Sequence, residues 1–185
     1  TVSPMCMVSR MIKTKVPDAY TVFIGPCIAK KSEVKDQQIE GNADAVLTFS
    51  EIRAIMKAKG VVLTAEENSY QEASVFGKRY GNSGGVTNAV LEYLKETDNE
   101  IDAKVYRANG AADCKKALLL MKVGRLPEDF IEGMACEGGC VGGPSAFQGE
   151  IASKKNRDSL ISCADCRTIV ENLSKIDMGA FEHHR

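Results

Sequence analysis

The chain has 185 residues, 44% of them hydrophobic and 26% charged, with 24 Lys and Arg against 25 Asp and Glu for a formal net charge of −1. That balance excludes a disordered chain, and the scattered basic residues exclude an extended nucleic-acid or anionic-membrane surface. No apolar run approaches the ~20 residues a membrane helix needs, and residues 1–10 lack the charged-then-apolar layout of a secretory signal. The expectation is a single cytoplasmic, water-soluble domain over residues 1–185.

Helix and strand patterns alternate along the chain. Ser3 and Pro4 open an amphipathic helix, Ser as cap and Pro in the first turn, with Met7, Val8, Met11 and Ile12 on its apolar side. Residues 20–24 (YTVFI) read as a strand running into the Gly25-Pro26 turn, and residues 45–49 (AVLTF) as a second strand. Ser50 then caps a helix with Ile52, Ile55 and Met56 at helical spacing and Gly60 as its stop. Residues 64–82 read as an irregular excursion. Ser83-Gly84-Gly85 leads into a helix with Val86, Ala89, Val90, Tyr93 and Leu94 on one face. A third strand at 103–108, a helix at 111–121 ending at Gly124, and a fourth strand at 130–135 follow. The tail from Gly149 is charged, then helical over 164–176. Strands separated by helices define an α/β fold with largely parallel sheets flanked by helices. Such sheets carry their ligands beyond the carboxyl ends of the strands.

The unusual component is cysteine: seven residues, at 6, 27, 114, 136, 140, 163 and 166. An odd count in a chain of this length argues against a disulfide framework and, in a reducing compartment, for metal ligands or redox groups. In residues 134–144 (MACEGGCVGGP), Cys136 and Cys140 stand four apart, with glycines between and after them. Iron–sulfur clusters are held by thiolates, and glycine permits a close backbone approach and supplies positive φ. Backbone N–H groups freed in such a turn can donate to cluster sulfides. The blander alternative is a glycine-rich turn with two buried structural thiols.

In residues 25–33 (GPCIAKKSE), Cys27 follows a strand end, with Lys30 and Glu33 at three-residue steps that a helical turn places on one side. A Lys ammonium there lowers a thiolate pKa or hydrogen-bonds an anionic ligand, and Glu33 is a surface charge or a proton carrier. Alone, the motif reads more simply as a buried thiol beside a solvated helix start. Cys163 and Cys166 form a CxxC at an expected helix N-terminus: a redox pair, half a zinc site, or further cluster ligands. Cys6 and Cys114 fall on helical patterns as small buried residues. The only histidines, His183 and His184, stand at the terminus, so no Ser–His–Asp arrangement is supported. Residues 81–85 (GNSGG), before a helix, have the make-up of an anion cradle but lack the dinucleotide fingerprint.

Taken together and in this order, GPCIAKKSE at 25–33, DAVLTFSEI at 44–52, YGNSGGV at 80–86 and MACEGGCVGG at 134–143 resemble the C-terminal catalytic domain of the iron-only (di-iron) hydrogenases, the part carried by their large polypeptide. SPMCM at 3–7 is a weaker echo, so the match runs over residues 3–143 and the tail contributes little. The resemblance implies a 4Fe-4S cluster joined through one cysteine sulfur to a di-iron unit carrying CO, cyanide and a bridging dithiolate. By motif it implies Cys27, Cys136 and Cys140 as cluster thiolates, with Cys140 shared with the di-iron unit. It further implies Lys30 as a hydrogen-bond donor to a cyanide, Met134 as a packing contact of the di-iron unit, and Glu33 as a carboxylate on the proton path. The implied chemistry is reversible reduction of protons to hydrogen, the protein supplying orientation and electrostatics. The implied partners are ferredoxin or other iron–sulfur electron carriers, and maturation proteins that build the di-iron unit.

Two departures stand out. The family's Thr-Ser-Cys-Cys-Pro type motif, source of a fourth cluster thiolate and a proton-donating cysteine, does not occur in residues 1–185. The expectation is therefore a fragment of a longer protein, inactive by itself. Gly25 stands where many members of the family carry a methionine before Pro-Cys. Two other readings remain: a non-catalytic iron–sulfur relative acting in cluster assembly or as a sensor, and a small redox or zinc module built on Cys163 and Cys166.

Overall fold

A computed structural model describes residues 1–64, 73–162 and 167–184. The chain divides into two units, one of Thr1–Ala65 with Asp177–Arg185 and the other of Glu66–Ile176. The Cys163–Cys166 motif lies outside the described residues. Among the described residues, no helix is long and apolar enough to cross a membrane.

In the first unit, α1 (Pro4–Lys15) starts as its sequence directs: the Ser3 side chain accepts from the Cys6 N–H, Pro4 occupies the first turn, and Lys13 and Lys15 sit at the negative end of the helix dipole. The buried face differs from the expected one. Met5, Cys6, Ser9 and Arg10 point inward, whereas Val8 and Ile12 are 49% and 39% exposed. Two polar residues are tolerated there because each is satisfied. Ser9 Oγ lies 2.9 Å from Thr21 Oγ1, and Arg10 donates to the carbonyls of Glu40, Glu182 and His184 at 2.8, 2.5 and 2.9 Å. With Val2 N–H donating to His183 O at 3.0 Å, the terminal segment docks on the unit instead of trailing from it.

β1 (Val22–Ile24) and β2 (Ala45–Leu47) pair in parallel, Val22 opposite Ala45 and Ile24 opposite Leu47, with the single-turn helix α2 (Lys30–Glu33) between them. The core here is two small clusters, Val2, Cys6 and Ile39, and Met5, Ala43 and Val46 with Phe23 and Val34 against the latter. α3 (Phe49–Ala58) has its cap two residues before the expected Ser50. Thr48 is the cap, in a capping box whose Glu51 carboxylate returns to the Thr48 N–H at 2.7 Å. Ser50 is exposed inside the helix, and Ile55 is 45% exposed, so the expected apolar stripe is only partly covered.

In the second unit, α4 (Val75–Arg79) falls within the stretch read as irregular; its Ser74 cap accepts from Gly77 N–H at 3.2 Å. α5 (Gly85–Glu96) follows, then β3 (Val105–Asn109), α6 (Ala111–Lys122) and β4 (Phe130–Met134). β3 and β4 run parallel over five pairs, from Val105 opposite Phe130 to Asn109 opposite Met134. α7 (Glu150–Ser162) occupies residues read as a charged tail, and of the helix expected over 164–176 the described residues form only α8 (Ile169–Leu173), capped by Thr168, with 174–176 in a turn and bend. Ala89, Val90, Tyr93 and Leu94 of the predicted apolar face of α5 line a cleft of about 630 Å³ with Ile169 and Leu173. The α/β reading with parallel sheets flanked by helices stands: among the described residues the strands form two parallel pairs, β1 with β2 and β3 with β4.

Candidate metal centre

β1 ends at Ile24, and the chain turns through Gly25 and Pro26 to a half-buried Cys27 before α2 begins. Cys27 therefore precedes the helical turn rather than riding on it, and the three-residue step that the helix creates is the one from Lys30 to Glu33. Lys30 Nζ meets Glu33 Oε2 at 2.5 Å, both side chains 21% exposed. The Ser3 hydroxyl also donates to Glu33 Oε1, so one carboxylate ties the α1 cap to α2. Gly25 is covered by a neighbour: a Cβ there would come within 2.8 Å of the Phe23 ring. A side chain at Gly25 would collide with that ring.

In the second unit, β4 ends at Met134, whose carbonyl accepts the Gly110 N–H at 2.8 Å, and the thiol loop begins at once. Cys136 is half-buried and Cys140 exposed; both are reduced thiols. Gly138 and Gly139 take φ of 78° and 85°, a left-handed turn in which a side chain is strained. The loop is pinned on two sides. Gly138 N–H donates to Asn109 Oδ1 at 2.8 Å, at the end of β3. Ser83 N–H donates to Gly138 O at 3.3 Å, Cys140 N–H donates to Gly81 O at 2.7 Å, and Asn82 and Gly139 form an antiparallel bridge. Gly139 N–H turns inward to Cys136 O at 3.0 Å. This corrects one expectation. The N–H groups of Gly138, Gly139 and Cys140 are consumed in holding the loop, so they are not left to donate to cluster sulfides.

The GNSGG turn is likewise not an open anion cradle. The anion at the start of α5 is the protein's own Glu132, whose carboxylate accepts from the Gly84 and Thr87 N–H groups at 2.9 and 3.1 Å. Sequence reasoning passed over Glu132 and Asn109. The signal for Glu132 was an acid inside an otherwise apolar strand, at a position facing the core. Asn109 positions itself through Asp113, which takes the Asn109 N–H at 3.0 Å and the Tyr106 hydroxyl at 2.8 Å. Those bonds, the Asn109 N–H foremost, hold the Asp113 carboxyl below its ordinary range.

Cys6 and Cys114 differ from each other. Cys6 is fully buried, and burial pushes its thiol pKa up. Cys114 is only half-buried, its sulfur beside Gly133. Within each unit, the described residues contain no group of three or more His, Cys, Asp or Glu side chains set to hold a metal ion. The motif thiols are supplied as one from the first unit and two from the second.

These features define an α/β protein with cysteine loops at the carboxyl ends of parallel strand pairs. Residues 1–144 match the family described as iron only hydrogenase large subunit, C-terminal domain, and the chain belongs to that family. It is 31% identical over 170 residues to the periplasmic Fe hydrogenase large subunit of Nitratidesulfovibrio vulgaris strain Hildenborough, covering 73% of this chain and 40% of that protein. It is 32% identical over 164 residues to iron hydrogenase 1 of Clostridium pasteurianum, covering 68% of this chain and 28% of that protein. The chain thus spans less than half the length of either relative. A solved FeFe-hydrogenase describing oxygen inactivation of the 2Fe subcluster superposes with a TM-score of 0.68 at 21% identity, covering 94% of this chain and 62% of that one. A structure describing stepwise H-cluster assembly gives a TM-score of 0.61 at 20% identity, covering 91% and 60%. At these identities the likeness is one of fold.

Proposed function

We propose that this chain is part of a hydrogenase catalytic domain and supplies thiolate ligands to a 4Fe-4S cluster joined to a di-iron CO and cyanide centre. The observation that carries the reading is the position of Cys27 and of the Cys136–Cys140 pair: each motif sits just past the carboxyl end of a parallel strand, in a chain of the hydrogenase family. The donor set fits the group. Soft thiolates suit iron–sulfur clusters, the three cysteines are reduced thiols with none fully buried, and the Cys136–Cys140 loop is held rigid from both sides.

When bound, the group supplies the redox chemistry that interconverts protons and hydrogen. The chain's own residues hold and orient. Cys27, Cys136 and Cys140 would be cluster ligands, with Cys140 shared with the di-iron unit and Met134 packed against it. Lys30 would donate to a cyanide, and its ammonium already carries a carboxylate partner that restrains its position. Glu33 would carry protons: a proton taken up at Oε1 is one hydrogen bond from the Ser3 hydroxyl. Ferredoxin or another iron–sulfur carrier would deliver electrons, maturation proteins would install the di-iron unit, and the proposed location is the cytoplasm.

Infrared spectroscopy of the complete protein, produced with maturation proteins under anaerobic conditions, tests this reading. CO and cyanide stretching bands are expected, with Lys30→Met moving a cyanide band. A cluster-loaded protein without such bands would instead be a non-catalytic iron–sulfur relative.

A further inference from the structure

Glu132 is the only acidic residue among those buried in the described structure, at 5% exposure. An ionised carboxylate in such a position needs a full set of donors, and it has three. Gly84 N–H donates to Oε1 at 2.9 Å, while Thr87 N–H and Thr87 Oγ1 donate to Oε2 at 3.1 and 2.5 Å. Thr87 is itself fully buried. All three donors belong to the first turn of α5 and to Gly84, held at φ 83°. β4 therefore delivers a charged cap to the helix that follows the GNSGG turn, fixing the turn as well as the helix.

The far side of that turn is the support for the thiol loop. Gly81 O receives the Cys140 N–H, and Ser83 N–H reaches Gly138 O. The two backbones are in contact: a Cβ on Gly139 would fall 2.5 Å from Gly81 O and 2.7 Å from Ser83 N. Glu132 and Cys140 also lie on one continuous stretch of chain, β4 and its loop. Starting at Glu132, the path runs through its carboxylate to α5, back through the turn to Cys140, and along the chain to Glu132 again. It is a closed ring of constraints with the ligand loop as one side.

We infer that Glu132 is a positioning residue for the Cys136–Cys140 ligand loop, acting through the 81–85 turn. As a role toward the cluster this rests on the proposed function; as a coupling between two loops it does not.

Amide exchange of the full 185-residue chain, kept reduced and without metal, tests the coupling directly. Glu132→Gln replaces an acceptor of three bonds with a neutral amide that turns its own N–H groups toward donors, and Thr87→Val removes only the hydroxyl donor at nearly constant shape. Exchange over 80–86 and over 136–142 is expected to rise together, by about tenfold in Glu132→Gln and less in Thr87→Val, while β1 and β2 keep their rates. Faster exchange confined to 80–86, with 136–142 unchanged, would make Glu132 a helix cap only and overturn the inference. Should Glu132→Gln fail to fold, Thr87→Val gives the same decision. After iron and sulfide loading, Thr87→Val is expected to bind the wild-type amount of iron with a shifted reduction potential, since hydrogen bonding near cluster ligands tunes potential. An unchanged potential at equal iron content would overturn the role toward the cluster. If the wild-type chain takes up no iron, the potentials are compared in the complete protein, and the exchange result still decides the coupling.

Discussion

Cys140 is held by Gly81: its backbone N–H meets the Gly81 carbonyl at 2.7 Å, and the Cβ of Cys140 lies 3.4 Å from where a Cβ on Gly81 would stand. A ligand loop and a glycine turn far apart in sequence thus share one small volume. Gly139, next to Cys140, has no room for a side chain and adopts φ 85°. Gly139→Ala should therefore cost about 2 kcal/mol or more through combined clash and left-handed strain. Urea denaturation followed by tyrosine absorbance in the near ultraviolet would measure it, and a variant as stable as wild type would contradict the interlock.

The cap of α3 separates two neighbouring hydroxyls. Thr48→Ala removes the capping oxygen that accepts the Glu51 N–H at 3.4 Å, and should cost about 1 kcal/mol. Ser50→Ala, at an exposed position inside the helix, should be neutral within about 0.5 kcal/mol. Denaturation midpoints of the two variants check the order, and a larger loss at Ser50 would contradict the capping box.

That pair of residues also shows what sequence can convey. Both Thr48 and Ser50 are good caps, and the choice depends on where β2 stops, which is fixed by pairing with β1 and not by local composition. The strands, the parallel arrangement and the positions of Cys27, Cys136 and Cys140 past strand ends were legible, because turn residues and β-branched runs mark them locally. The inward face of α1 was not, since Ser9 and Arg10 are buried only through bonds to Thr21, Glu40, Glu182 and His184, distant in sequence. The roles of Glu132 and Asn109 were hidden for the same reason: each acts on a loop that its own neighbours in sequence do not reveal.

Glu51 gives a pH dependence with a definite sign. Lys31, with Nζ 2.8 Å from both carboxylate oxygens, and the Thr48 N–H and hydroxyl lower its pKa from 4.5 to about 2. A depressed acid contributes stability above its unfolded value and loses it as pH falls toward the folded one. Stability of the first unit should be level above about pH 5 and decline from there toward about pH 2, with Glu51→Gln showing a shallower decline. Urea midpoints across that range measure it; identical slopes would contradict the assignment.

Thiol reactivity should separate the cysteines by burial. Cys6 is fully buried with a raised pKa, and Cys140 is exposed. Mass mapping after brief alkylation of the metal-free chain near neutral pH should find Cys140 modified at least about tenfold faster than Cys6. Equal rates would contradict the packing of α1.

Anaerobic reconstitution with iron and sulfide, followed by EPR after dithionite reduction, tests the central claim most directly, with Cys136→Ser alongside. The account predicts about four irons per chain and a reduced-cluster signal in the wild type, both lost in the variant. Equal iron and equal signal in the two proteins would contradict the assignment of the Cys136–Cys140 loop as a cluster ligand.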